Sequence, residues 1–318
     1  MNPISSIPAL SGKIILVTGA NKGIGLSTVK HLARKGAKVY LGARNENRAT
    51  DAISQLQKDG ISPGTVEWLP CDLSTPEAAK AAGEKFLEKE NRLDILVNNA
   101  AVMADFRDKE KPGKKSDDGI PEMLMVNHIG HFQLTKTLLP LLIKTSEEPN
   151  SDVRIVVVAS DSHDSSSAKD PAIQFKTIED LKKDYATVKM PMLARYCVSK
   201  LANVLFMKQL QRRLSAESHN ITCLAIDPGT VNTFGHLLPY PWISKILLRF
   251  LAKTPDEGAW NSCFAAGSPD IKEHSEKYKG AFLMPVGKIT PPSANAQKEE
   301  LGEDLWKTTE DYLNSLGL

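Results

Sequence analysis

The chain has 318 residues, a formal net charge of +2, 41% hydrophobic residues and 25% charged residues. These values describe a globular protein able to bury a sizeable core, and they exclude binding to nucleic acid through a basic surface, since no basic tract is present. Four scattered cysteines (Cys71, Cys197, Cys223, Cys263) form no Cys-x-x-Cys, which argues against disulfides and zinc. Residues Met1 to Ser11 lack a signal-peptide pattern, and no apolar run reaches the roughly 18 residues of a membrane span, so a cytoplasmic protein without a metal is expected.

Residues Lys13 to Thr18 predict a first strand, followed by the turn Gly19-Ala20-Asn21-Lys22-Gly23-Ile24-Gly25 and a helix from Leu26 to Lys35. Strand, glycine turn and helix N-terminus together form a pyrophosphate cradle, because the turn must be tight and the backbone must approach an anion without Cβ atoms in the way. The second strand, Ala37 to Leu41, ends in Gly42-Ala43-Arg44. An NAD site carries an acid about 20 residues past the glycines. Here the strand tip has none. Arg44 offers a planar fork to a 2′-phosphate, with Lys22 as a second positive charge, and the pair favours NADP(H).

A helix is expected over Asn45 to Lys58 and a third strand over Thr65 to Leu69, running into Cys71-Asp72-Leu73. Asp72 is placed to contact the adenine or to cap the next helix, Pro76 to Glu90. Leu93 to Val97 is the fourth strand, and Asn98-Asn99-Ala100-Ala101 then lies beside the cofactor ribose. Asp105 to Asp118 is a charge run, read as a solvated loop. A long helix is expected over Glu122 to Ile143, containing Asn127, His128 and His131. Asn127 is either a tolerated polar residue or the site of a local distortion that holds a water near the active-site lysine. The two histidines have no third ligand nearby, so packing or helix-surface roles are favoured over a metal.

Val153 to Val158 is an apolar fifth strand ending at Ala159-Ser160-Asp161-Ser162-His163. The Ser160 hydroxyl can hydrogen-bond a substrate carbonyl there. A Ser-His-Asp hydrolase is rejected because the Gly-x-Ser-x-Gly elbow is absent. Residues 161–191 are expected to wall the substrate pocket, with a short helix near Thr177 to Lys183. A helix then runs from Met192 to Leu214 and carries Tyr196-Cys197-Val198-Ser199-Lys200. Tyr196 and Lys200 share one helix face, and a nearby ammonium lowers a phenol's pKa towards neutrality. Ile221 to Ile226 is the sixth strand. It makes the Asn220-Ile221-Thr222 glycosylation match a chance one. Asp227-Pro228-Gly229 turns the chain, and Thr230, Val231 and Thr233 reach towards the nicotinamide or the phosphates. His236 to Ala252 carries an apolar stripe, read first as a lid (segment 234–253), then as core, then as a membrane-surface patch. A helix over Thr254 to Ala266, a strand over Gly280 to Val286 and a helix over Gln297 to Leu316 complete the chain.

The alternation of strands and helices predicts a single-domain α/β fold over residues 1–318: a Rossmann-type, doubly wound, seven-stranded and mostly parallel sheet with helices on both faces. Along nearly its whole length the chain resembles the short-chain dehydrogenase/reductase family. The motifs are Thr18 to Gly25, Asp72, Asn98 to Ala101, Asn127, Ser160, Tyr196 to Lys200 and Pro228-Gly229, in the family's order. The Asn-His-x-Gly-His-Phe run and the long segment before Tyr196 look most like the retinol-dehydrogenase-like branch and related fungal reductases. The resemblance implies Tyr196 as the general acid or base, and Lys200 as the residue that tunes it and binds the ribose. Ser160 would orient the carbonyl, and Asn127 would hold a water. Gly19, Asn21, Lys22, Gly23, Ile24, Gly25, Arg44, Asp72, Leu73, Asn99, Ala100, Pro228, Gly229, Val231 and Thr233 would join Tyr196 and Lys200 around NADP(H). An NADP(H)-dependent oxidoreductase acting on an apolar or aromatic ketone, aldehyde or alcohol is expected. The rivals are a catalytically silent NADP(H) sensor and a membrane-surface retinoid or lipid dehydrogenase. Pairing into a homodimer or homotetramer through the two long helices is implied by family analogy.

Overall fold

The computed structural model describes residues 3–103, 115–229 and 253–318. Eight strands form one sheet: β1 (Ile14–Thr18), β2 (Lys38–Ala43), β3 (Thr65–Pro70), β4 (Ile95–Asn98), β5 (Val153–Val158), β6 (Ile221–Ile226), β7 (Phe282–Met284) and β8 (Lys288–Ile289). Their order is β3-β2-β1-β4-β5-β6-β7-β8, and all neighbours are parallel except β7 and β8. The sheet therefore has one strand more than expected. β8 is a two-residue return after the turn at Gly287, too short to carry a hydrophobic period.

The helices are α1 (Gly23–Arg34), α2 (Glu46–Lys58), α3 (Pro76–Leu87), α4 (Glu122–Leu124), α5 (Gly130–Ser146), α6 (Ile178–Leu181), α7 (Pro191–Ala216), α8 (Pro255–Gly267), α9 (Pro269–Glu273), α10 (Ser275–Tyr278), α11 (Ala294–Gln297) and α12 (Glu299–Ser315). Caps set several boundaries. Asn45 accepts from the Arg48 N–H at the start of α2, and Thr254 forms a reciprocal capping box with Glu257 at α8. Thr75, not Asp72, caps α3; the Asp72 carboxylate accepts instead from the Ser74 N–H at 3.0 Å.

Alternate strand residues feed two cores, as the period of a parallel sheet requires. Leu16, Leu96, Ile155 and Val157 pack against α3, α5 and α7. Ile15, Val17, Val97, Val156 and Val158 join the cluster containing Val29 and Leu32 of α1 and Ala259 and Cys263 of α8. The helix expected over Glu122 to Ile143 is interrupted. A π-helical turn over Met125–Ile129 separates α4 from α5. α12 lies across α7 and α5: the Trp306 ring centre is 4.7 Å from that of Phe132 and 6.0 Å from that of Phe206, with the Arg213 guanidinium 4.2 Å above the indole. Residues 161–191 are short turns around α6, tied to the C-terminal region. Asn295 Nδ2 donates to the carbonyls of Ala168 and Asp170, and the Thr308 hydroxyl donates to that of Phe175. Among the described residues no helix is long and apolar enough to cross a membrane. Val231, Thr233, the segment His236 to Ala252 and most of the charge run lie outside the described residues.

Candidate active site

In an open parallel sheet, ligands bind outside the carboxyl ends of the strands, where the strand order reverses. Here that point lies between β1 and β4. The glycine turn fills it with almost no spare room. Gly19 has φ +62°, and a Cβ there would sit 2.7 Å from Cα of Ala100. A Cβ on Gly25 would sit 2.5 Å from Nδ2 of Asn99, which itself donates to the Thr18 carbonyl at 2.7 Å. Gly23 has φ +59° and opens α1. Lys22, the residue before α1, makes no side-chain cap, and the first turn of α1 holds no acid, so its N–H groups suit an anion.

The turn opens onto a cavity of about 280 Å³ that brings Gly19, Lys22, Ile24 and Gly25 together with Tyr196, Lys200 and Pro228. Asn99, Ala101, Val102, Met103, Val158 and Ala159 complete its walls. Ala101 belongs to the Asn98 to Ala101 motif expected beside the ribose, whereas Val102, Met103, Val158 and Ala159 were not assigned to the site from the sequence, because small and apolar residues carry no chemical signature. Arg44, Asp72 and Leu73 are not in the cavity wall; they stand at the ends of β2 and β3 on the same sheet edge. The Arg44 side chain is exposed, with no hydrogen bond or ion pair among the described residues. Gly229 has φ +79° and turns the chain after β6, where a Cβ would lie 3.1 Å from Lys253 Nζ.

α7 carries Tyr196 and Lys200 under the end of β5. Lys200 is buried, and its Nζ donates to the Val158 carbonyl at 2.9 Å and lies 5.6 Å from the Tyr196 ring centre. Burial brings its pKa down to about 8, against the pull of Asp227. Burial is also the largest influence on Tyr196 and raises its pKa; Cys197, Asp227 and Asp161 push the same way, and a hydrogen bond with Ser160 opposes them. The expectation from charge alone, a phenol lowered by Lys200, is thus outweighed by desolvation. The phenol is a neutral proton donor at pH 7.

Ser160 follows β5 in extended conformation. Its hydroxyl donates to Asp161 Oδ1 at 3.1 Å and accepts from the Ser162 N–H at 3.2 Å. His163, which the sequence reading used only to weigh a hydrolase, supports this loop. Its Nδ1 lies 2.6 Å from the Ser160 carbonyl, and its Nε2 accepts from the Ser293 N–H at 2.9 Å. Its place three residues past the strand-end serine was the available signal. Asp227 is buried beside this loop, and burial together with Asp161 raises its pKa to about 6.

Asn127 lies in the π turn with its side chain fully engaged. Oδ1 accepts from the Val102 N–H at 2.8 Å, and Nδ2 donates to the Val102 carbonyl and to Ser199 Oγ. The two neighbouring histidines diverge: His128 Nε2 meets Thr309 and His131 Nε2 meets Thr18. Among the described residues no group of His, Cys, Asp and Glu could hold a metal ion.

A glycine turn at the switch point, facing a tyrosine and a lysine across one cavity, with a serine directly after the wall residue Ala159, defines a nucleotide-dependent oxidoreductase. The comparisons with known proteins agree. The family model for short chain dehydrogenase matches residues 13–171. A short-chain dehydrogenase/reductase of Armillaria gallica is 39% identical over 314 residues, covering 97% of this chain and 95% of its own. Retinol dehydrogenase 14 of Mus musculus is 35% identical over 319 residues, covering 95% of this chain and 86% of its own. A solved structure described as the Pseudomonas aeruginosa RhlG/NADP active-site complex shares the fold with a TM-score of 0.64 at 24% identity, covering 90% of this chain and 98% of its own. The chain belongs to the short-chain dehydrogenase/reductase family, which uses NAD(P)(H) and has retinol-dehydrogenase-like members.

Proposed function

We propose that the protein is an NADP(H)-dependent carbonyl reductase or alcohol dehydrogenase acting on an apolar or aromatic ketone, aldehyde or alcohol. The observation that carries this reading is the meeting of a neutral Tyr196 phenol and a buried Lys200 in one cavity with the glycine turn, with Ser160 next in the chain after Ala159 of the cavity wall. When bound, the nicotinamide supplies or accepts the hydride. In reduction, Ser160 turns its hydroxyl from Asp161 to the substrate carbonyl oxygen, and Tyr196 delivers the proton to that oxygen as the carbon gains hydride. Lys200 holds the ribose and returns a proton to Tyr196. The Asn127 side chain is already engaged by Val102 and Ser199, and its main-chain carbonyl faces His131 Nδ1, so its part here would be to hold the π turn against the cavity wall at Val102. Gly19, Asn21, Gly23, Ile24, Gly25, Asn99 and Ala100 would hold the pyrophosphate and ribose, and Asp72 and Leu73 the adenine. Pro228 and Gly229, with Val231 and Thr233, would flank the nicotinamide. Lys22 and the unengaged Arg44, with no acid at the tip of β2, support a 2′-phosphate. A neutral acid at pH 7 and this phosphate site support reduction as the working direction.

The test is oxidation of NADPH and of NADH, followed by absorbance, with aromatic ketones, diketones, quinones and long-chain aldehydes, alongside binding of each nucleotide by fluorescence. Turnover with NADPH, weakened by Arg44→Ala, is expected. Preference for NADH would overturn the phosphate site. Binding of NADPH without turnover on any carbonyl or metabolite would favour a nucleotide sensor. The retinol dehydrogenase relative supports a second reading, a membrane-surface retinoid or lipid dehydrogenase. Flotation of the protein with liposomes, together with retinal reduction, would favour it.

A further inference from the structure

Thr18 closes β1 at the switch point and is wholly buried. Its hydroxyl oxygen accepts from two backbone N–H groups, those of Asn99 and Ala100, both at 2.9 Å. A hydroxyl has two lone pairs and one proton, so only its proton is left to share. The near acceptor is Nε2 of His131 at 2.8 Å; the Val97 carbonyl is farther, at 3.4 Å. Nε2 must therefore be bare. The other ring nitrogen, Nδ1, lies 3.1 Å from the main-chain carbonyl of Asn127. A carbonyl can only accept, so Nδ1 must carry the proton. Both ends of the ring independently require the same neutral tautomer. Burial, and the nearby charge of Lys200, hold the imidazole neutral against only the hydrogen bond to Asn127.

We propose that His131 is a positioning residue: a neutral, Nδ1-protonated imidazole that locks the Thr18–Asn99–Ala100 side of the nucleotide cradle to the Asn127 carbonyl in the π turn. The lock joins β1, β4 and α5 where the strand order reverses. It fixes which way the Thr18 proton points, and so keeps both lone pairs available for the two N–H groups that shape the wall of the cleft. Its bearing on cofactor affinity rests on the nucleotide reading above; its geometry does not.

Two substitutions separate the two ends of the ring. Gln places an acceptor where Nε2 stands, and Asn places a donor where Nδ1 stands. His131→Gln therefore keeps the Thr18 contact and His131→Asn loses it. The readouts are NADPH affinity by fluorescence, amide hydrogen exchange at Asn99 and Ala100, and nitrogen NMR of the His131 ring. The wild-type ring is expected to carry its proton on Nδ1 throughout neutral pH. His131→Asn is expected to weaken NADPH binding about tenfold, the worth of one lost hydrogen bond, and to speed exchange at both amides. His131→Gln is expected to restore both. An Nε2-protonated ring, or equal effects of Asn and Gln, would overturn the lock. If wild-type protein bound neither NADPH nor NADH, the proposed function would fail, and ring tautomer and amide exchange would still decide the lock.

Discussion

At the scale of single residues, Tyr196 and Lys200 divide the chemistry. Removing the phenol in Tyr196→Phe is expected to lower turnover about a thousandfold, within the usual range for loss of a general acid, while NADPH still binds. Retained turnover would remove Tyr196 from the acid role. Lys200 makes a pH signature of its own. Its pKa is about 8 in the folded chain, against about 10.4 unfolded. Between these values the unfolded chain binds more protons, so stability should rise with pH from about 8 to 10, by about 3 kcal/mol for this group. Burial raises the thiols of Cys71, Cys197, Cys223 and Cys263, which pull stability the other way above about pH 8.5. The Lys200 slope is therefore read as a difference: the urea midpoint of the wild type relative to Lys200→Met should climb across the window. An equal slope in both proteins would contradict the burial of this ammonium. The spacing of Tyr196 and Lys200 on one helix face could be read from sequence. Their shifts could not, since the depth beneath β5 that raises the phenol is a property of packing. Likewise His131 reads as a packing or helix-surface histidine, and His163 only as part of a rejected hydrolase set, until the carbonyls they meet are known.

At the scale of elements, the glycine turn was legible because close backbone approach leaves few residue choices. Gly25→Ala would drive a Cβ to 2.5 Å from Asn99 Nδ2 and 2.7 Å from the Gly19 carbonyl oxygen. The turn and β4 must then separate, and loss of NADPH affinity with about 1–3 kcal/mol of destabilisation is expected from fluorescence titration and urea unfolding. Unchanged affinity would mean that the turn does not cradle the nucleotide. The π turn was half legible. Asn127 marked a possible distortion, but Met125-Val126-Asn127-His128-Ile129 has no glycine or proline to end a helix. The break is stabilised from outside, by Val102 and Ser199. α12 was expected as a helix over Gln297 to Leu316, but its seat was not. Trp306→Ala should destabilise the fold by about 2–4 kcal/mol, since the indole covers Phe132 and Phe206 and carries Arg213. Thermal unfolding with no loss would place the weight of this docking elsewhere.

At the scale of the whole molecule, the parallel sheet was readable because each strand is a short apolar run between turn residues. Long-range supports such as those of Asn295 and Thr308 were not, because they join polar residues far apart in sequence. Buried titratable groups give the molecule an acid limit. His128 and His131 are held down by burial to about 3 and about 4. Unfolded histidine protonates near 6.5. The stability these histidines contribute is therefore complete above about pH 7 and is lost as pH drops from 6.5 towards 4, His131 alone contributing about 3 kcal/mol of the loss. His163 is lowered in the same direction, chiefly by burial. Asp94 is pushed up by burial, but hydrogen bonds from Arg92, Ile14 and Lys13 win and hold it low, so its contribution is lost only at still lower pH. Asp227, raised to about 6, works the other way and offsets part of the slope. Urea midpoints that stayed level from pH 7 to pH 4 would contradict this sum. One contact also orders events in time. Ser293 supports the Ser160 loop through His163 from 130 residues farther along the chain. A ribosome releases the serine, tyrosine and lysine long before that support. The nascent chain can assemble its glycine turn early, but the catalytic edge is finished last, from the carboxyl end. A product truncated ahead of residue 293 would keep the first strands of the sheet and leave the chemistry unassembled.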